Sequence, residues 1–155
     1  MAGVQTWKSG RGLLGPLKPL LGRWTAQAAG PGLASVMRCE RGFEPVLDGK
    51  WIRLDARWQT GPSSAYEETA LFGRTAGGTL GFFSFTSDGK SSQGLVADGA
   101  DVHPQAVAFE AQMPAGLARF VYWPAEAEEG FYFAVESRTR AGWNRFMRHQ
   151  YRPAG

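Results

Sequence analysis

The sequence predicts an all-β protein: an antiparallel up-and-down barrel of about ten strands, preceded by a short helical plug. Three observations carry this. From Gly22 onward, apolar and polar residues alternate with a period of two, in short runs rich in aromatic and β-branched side chains. Strong hairpin signals, Asp48-Gly49 and Asp88-Gly89, punctuate these runs. Nearly all connections are hairpin-short, which favours successive strands lying side by side; a Greek key requires long crossovers, and none is visible.

The elements follow in order. Residues 1–11 read as a flexible arm, and residues 12–155 as one barrel domain. Leu13 to Leu21 reads as one or two helical turns broken by Pro16 and Pro19, apolar enough to plug a barrel end. Arg23 to Ala28 is the first strand, closed by Gly30-Pro31-Gly32, and Ala34 to Leu47 the second. Lys50 to Gln59 has the cleanest alternation: Ile52, Leu54, Ala56 and Trp58 on one face, Trp51, Arg53, Asp55 and Arg57 on the other. Further strands are expected over Tyr66–Arg74, Leu80–Ser87, Ser91–Ala97, Gln105–Met113, Leu117–Trp123, Gly130–Arg138 and Trp143–Arg152. Short turns rich in glycine, proline and aspartate separate them.

Composition narrows the function. At 155 residues the chain can bury a core without disulfides, and Cys39 is its single cysteine, so no intramolecular disulfide or cysteine metal cluster forms. This fits a reducing, cytoplasmic setting. The net charge of +3 is dispersed, not clustered, so no nucleic-acid footprint is expected. No apolar run reaches the roughly 18 residues of a membrane span. Nucleophile elbows, phosphate loops and dinucleotide fingerprints are missing.

The run Leu20-Leu21-Gly22-Arg23-Trp24, then Gly42-Phe43-Glu44-Pro45-Val46-Leu47 and Asp48-Gly49-Lys50, resembles the calycin superfamily, above all its lipocalin-like and nitrobindin-like bacterial barrels of unknown function. The resemblance implies a calycin-type barrel. It implies that Gly22 and Trp24 close one end, with a basic side chain such as Arg152 packed over the indole. It also implies a ligand cavity. The departures are instructive. The lid helices of fatty-acid-binding proteins have no room between Ala29 and Ser35. Their Arg-x-Tyr carboxylate clamp does not match Arg148-His149-Gln150-Tyr151. Nitrobindin-like members bind haem through a C-terminal histidine, which makes His149 a haem ligand as an alternative reading.

Candidate site residues come from polar positions on apolar faces. On the last strand Trp143, Arg145, Met147, His149 and Tyr151 share a face and are expected to point inward. Glu136, across a hairpin from Arg145, is expected to pair with it. Glu68 shares its parity with Tyr66, Ala70 and Phe72 and is expected inside. Arg145, His149, Tyr151, Glu136 and Glu68 are therefore the candidate ligand-binding set. No catalytic residue, resident metal or cofactor is expected. The leading expectation is an intracellular barrel that binds a small hydrophobic or amphipathic molecule. The alternatives are a haem-binding or other enzyme using the cavity, and a homodimeric interaction protein built on outer aromatics.

Overall fold

The structure is a computed structural model that describes residues 7, 10–28, 37–126 and 129–155. Ten antiparallel strands are described: β1 (Gly22–Ala28), β2 (Met37–Val46), β3 (Trp51–Gly61), β4 (Ser64–Arg74), β5 (Leu80–Thr86), β6 (Ser91–Ala97), β7 (Val107–Met113), β8 (Gly116–Pro124), β9 (Phe131–Thr139) and β10 (Gly142–Pro153). Each pairs with its neighbours in sequence, and β1 also pairs with β10, which closes the barrel. The predicted class, strand number and meander all hold. The expected turn at Gly30-Pro31-Gly32 and the expected start of the second strand lie outside the described residues. Among the described residues no helix is long and apolar enough to cross a membrane.

One end of the barrel is packed shut. A 3-10 helix, Gly15–Leu20, buries Leu17 and Leu20 completely. Proline at its start and inside it limits it to this short form. Trp24 on β1 is 8% exposed, donates from Nε1 to the Leu20 carbonyl at 2.7 Å, and meets the Phe131 ring edge-on with centroids 5.0 Å apart. Gly22, two residues earlier, has φ of 125°, a conformation that favours glycine. Trp7 lies within the expected arm. It is buried against Phe131, and its backbone N–H donates to Gln105 Oε1.

Alternation sorts the side chains as the strand geometry requires. Ile52, Leu54 and Ala56 of β3 are buried while Arg53, Asp55 and Arg57 are exposed. A second, smaller cluster lies outside the barrel wall. There Ala106, Ala108, Val121, Trp123 and Ala134 are covered by the loop between β6 and β7, with Val102 packed on them. The opposite end of the barrel, at the β3–β4, β5–β6, β7–β8 and β9–β10 turns, is open.

Candidate functional site

A cavity of about 450 Å³ runs inward from the open end. Its walls are apolar and largely aromatic: Phe72, Phe82, Phe109, Phe120 and Phe133, with Leu54, Ala70, Val135 and Met147. Thr60, Tyr66, Ser92 and Met113 belong to its lining near the mouth, where β3, β4, β6 and β7 approach their turns. This is the composition and size of a small-molecule pocket, apolar with a few convergent polar groups.

The polar groups gather around Arg41. This residue stands on β2 between Cys39 and Phe43, two residues from each, so the pleat points all three inward. Arg41 is 3% exposed. Its Nη2 donates to the Tyr122 hydroxyl at 2.8 Å, and its guanidinium lies over the Phe133 ring at 4.0 Å from the centroid. Its Nε and Nη1 are buried and have no hydrogen-bond partner. Glu68 Oε1 stands 3.8 Å from Nη2, and Glu68 Oε2 accepts from Ser84 Oγ at 2.5 Å. Arg41 and Glu68 are the charged residues among those that line the cavity.

Burial and the Arg41 charge shape the titration of this cluster. Burial pushes the Tyr122 and Tyr151 phenols up to about 12, against the opposing pull of Arg41. Burial likewise raises the Cys39 thiol to about 11. Burial opposes the Arg41 charge, yet Tyr122, Tyr151 and Glu68 outweigh it and hold the guanidinium above its ordinary value. His149 is lowered by burial and then by Arg41, so it is neutral at neutral pH.

The expected site residues divide. Glu68 lines the cavity, on the face its parity indicates. His149 and Tyr151 also face the interior, opposite Phe133 and Phe131 of β9. Tyr151 is fully buried at the packed end, stacked on Phe131 at 5.2 Å, and its hydroxyl lies beside Arg41 and Cys39 without reaching good hydrogen-bond geometry to either. His149 Nδ1 is buried and likewise unpartnered. Neither His149 nor Tyr151 is among the cavity-lining side chains.

Arg145 and Glu136 are not in the cavity, and this corrects the expected placement. The ladder between β9 and β10 shifts register between Arg145 and Met147: Arg145 faces Glu136, and Met147 faces Val135. This β-bulge adds Phe146 to the strand, so parity reverses across it. Met147, His149 and Tyr151 point in; Arg145 points out, its guanidinium over Trp123 at 5.0 Å. Glu136 is buried beneath the outer surface. It pairs with Arg145 Nε at 3.1 Å, as its position across the hairpin suggests, and with Arg119. Phe146 lines the cavity yet is 64% exposed.

Arg152 is also displaced from its expected role over Trp24. It stands opposite Thr25 in the ladder, on the other face of the sheet, with an exposed side chain. Trp24 instead meets Phe131 and the 3-10 helix. Arg41, Ser84 and Tyr122, which join Glu68 in the polar cluster, are not among the expected site residues. Arg41 carried a usable signal, since it shares parity with Cys39 and Phe43 on an otherwise apolar face.

No protein-family model matches the chain, and no curated protein matches it. His149 is not among the cavity-lining side chains, so the cavity as it stands presents no histidine to a haem. Among the described residues, no group of three or more His, Cys, Asp or Glu side chains converges as metal ligands.

Proposed function

We propose that this protein binds a small hydrophobic or amphipathic molecule inside its barrel. The observation that carries the reading is the cavity: about 450 Å³, open at one end, apolar along its length, with a compact polar cluster around Arg41. Protein interiors are normally packed to crystal density. An aromatic-lined chamber that stays unfilled gives up dispersion and burial that side chains would otherwise supply. A guest molecule recovers both. The resemblance of Leu20–Trp24 and Gly42–Leu47 to calycin barrels supports the same reading, because those barrels hold their ligands inside.

The test uses the purified full chain. Native mass spectrometry looks for a co-purifying mass, and titration of a solvatochromic apolar dye measures uptake. The expected result is one dye per chain with a blue-shifted emission, abolished by Ser92→Trp, which blocks the lining near the mouth. Dye binding that Ser92→Trp leaves unchanged would locate the dye on the outer surface and count against the reading.

A further inference from the structure

We propose that Arg41 is the docking point for a carboxylate at the end of an apolar body. We further propose that Glu68 is its built-in competitor, so that ligand binding takes up one proton. This rests on the ligand-binding reading above and names the class of ligand.

A guanidinium has five N–H donors. Arg41 places one bond on Tyr122, while Nε and Nη1 are buried without an acceptor. Native proteins leave few buried donors unmatched, and a buried charge is costly unless an opposite charge and hydrogen bonds compensate it. The anion nearest to hand does not complete the job. Glu68 Oε1 is 3.8 Å from Nη2, beyond hydrogen-bond reach, and Oε2 is held by Ser84. The chamber thus holds a cation that is under-coordinated and a carboxylate kept just short of it.

Head groups can be ranked on this geometry. A cationic head would meet Arg41 across a low-dielectric space. A neutral head supplies an acceptor but leaves the charge poorly compensated. A carboxylate supplies both acceptor and charge, and charge-assisted bonds to arginine are the stronger kind. Bound there, it would leave two carboxylates against one guanidinium. Like charges sharing a site cannot both ionise freely, so one carboxyl of the pair takes a proton from solvent.

The other titratable groups facing this pair do not take up that proton near neutral pH. Tyr122 on β8, Tyr151 on β10 and Cys39 on β2 already hold theirs, and burial and the Arg41 charge oppose protonation of His149 on β10. Tyr66, on β4 with Glu68, also lines the cavity. From β3 and β5 the facing side chains Ala56, Trp58, Ser84 and Thr86 do not titrate. Proton uptake therefore belongs to Glu68 and the ligand together.

The experiment compares dodecanoic acid with dodecan-1-ol on the full chain. Isothermal titration calorimetry is run in buffers of different ionisation enthalpy between about pH 6 and 8. The acid is expected to bind on the order of ten-fold or more tightly than the alcohol. It should take up about one proton, with affinity falling as pH rises. Glu68→Gln should bind the acid more tightly than wild type and without proton uptake. Arg41→Met should erase the preference for acid over alcohol. If Arg41→Met does not fold, the wild-type acid-to-alcohol ratio and the Glu68→Gln proton count still decide the matter. Equal binding of acid and alcohol, or proton uptake that Glu68→Gln leaves unchanged, overturns this proposal alone. Binding of neither overturns the ligand-binding reading as well.

Discussion

Arg119 on β8 and Glu136 on β9 form a doubly hydrogen-bonded pair beneath the outer surface of the barrel, with Nε and Nη2 donating to Oε1 at 2.9 and 2.6 Å. The same guanidinium reaches Asp101 in the loop between β6 and β7 at 2.7 and 2.8 Å, and lies over Trp143 at 4.5 Å. It therefore ties the loop to the wall. Both Arg119 and Glu136 are buried, whereas Asp101 is largely exposed. Removing Arg119 leaves the buried Glu136 carboxylate with Arg145 Nε alone, so Arg119→Met should cost on the order of 3 kcal/mol in urea unfolding. Asp101→Asn removes only a solvent-screened partner and should cost under about 1 kcal/mol.

His149 makes stability depend on pH. Its folded pKa is lowered by burial and by Arg41. The unfolded imidazole, near about 6.5, binds a proton more readily than the folded one. The contribution is therefore fully present above the unfolded pKa and is lost as pH falls through the folded one. Urea midpoints of wild type should decline from about pH 6.5 downward. His149→Gln should flatten this part of the profile, and an unchanged slope would show that the imidazole is not the titrating group.

Trp24 is expected to act on stability. Trp24→Phe loses the bond from Nε1 to the Leu20 carbonyl and leaves that acceptor without its donor, for a cost of about 1–3 kcal/mol. Trp24→Ala also loses the contact with Phe131 and opens a void, so about 3–5 kcal/mol is expected. Denaturant unfolding measures both. Dye affinity per folded molecule should change little in Trp24→Phe, because Trp24 is not among the cavity-lining residues.

Phe146 separates substitution from deletion. Its side chain is mostly exposed at the cavity mouth, so Phe146→Ser should shift stability by no more than about 0.5 kcal/mol. Deleting Phe146 removes the bulge, and a one-residue change of register turns every following side chain to the other face. Met147, His149 and Tyr151 would then point to solvent. Circular dichroism and urea unfolding should find the deletion unfolded or severely destabilised while the substitution is near wild type.

The ten strands were legible because hydrophobic alternation and Asp-Gly turns are local properties, set by the pleat and by backbone conformations that few residues adopt. Glu68 was legible for the same reason: its neighbours of equal parity, Ala70 and Phe72, are core residues. Arg41 was equally exposed to that argument, flanked at equal parity by Cys39 and Phe43. An arginine, however, reads as a surface residue until a partner is known. That partner, Tyr122, lies 81 positions along the chain.

The sequence by itself determined the architecture that Gly22 and Trp24 open: strand order, hairpin connectivity and the two faces of the cleanly alternating strand β3. Tertiary structure alone decided what those faces do. The bulge at Phe146 sent Arg145 outward and kept His149 and Tyr151 inside, although all three share one parity. Barrel closure brought Arg41, Glu68, Ser84 and Tyr122 from four strands to one place. A period of two is written residue by residue, whereas a one-residue insertion in a ladder is a property of the pair of strands. Convergence across a barrel is a property of all of them.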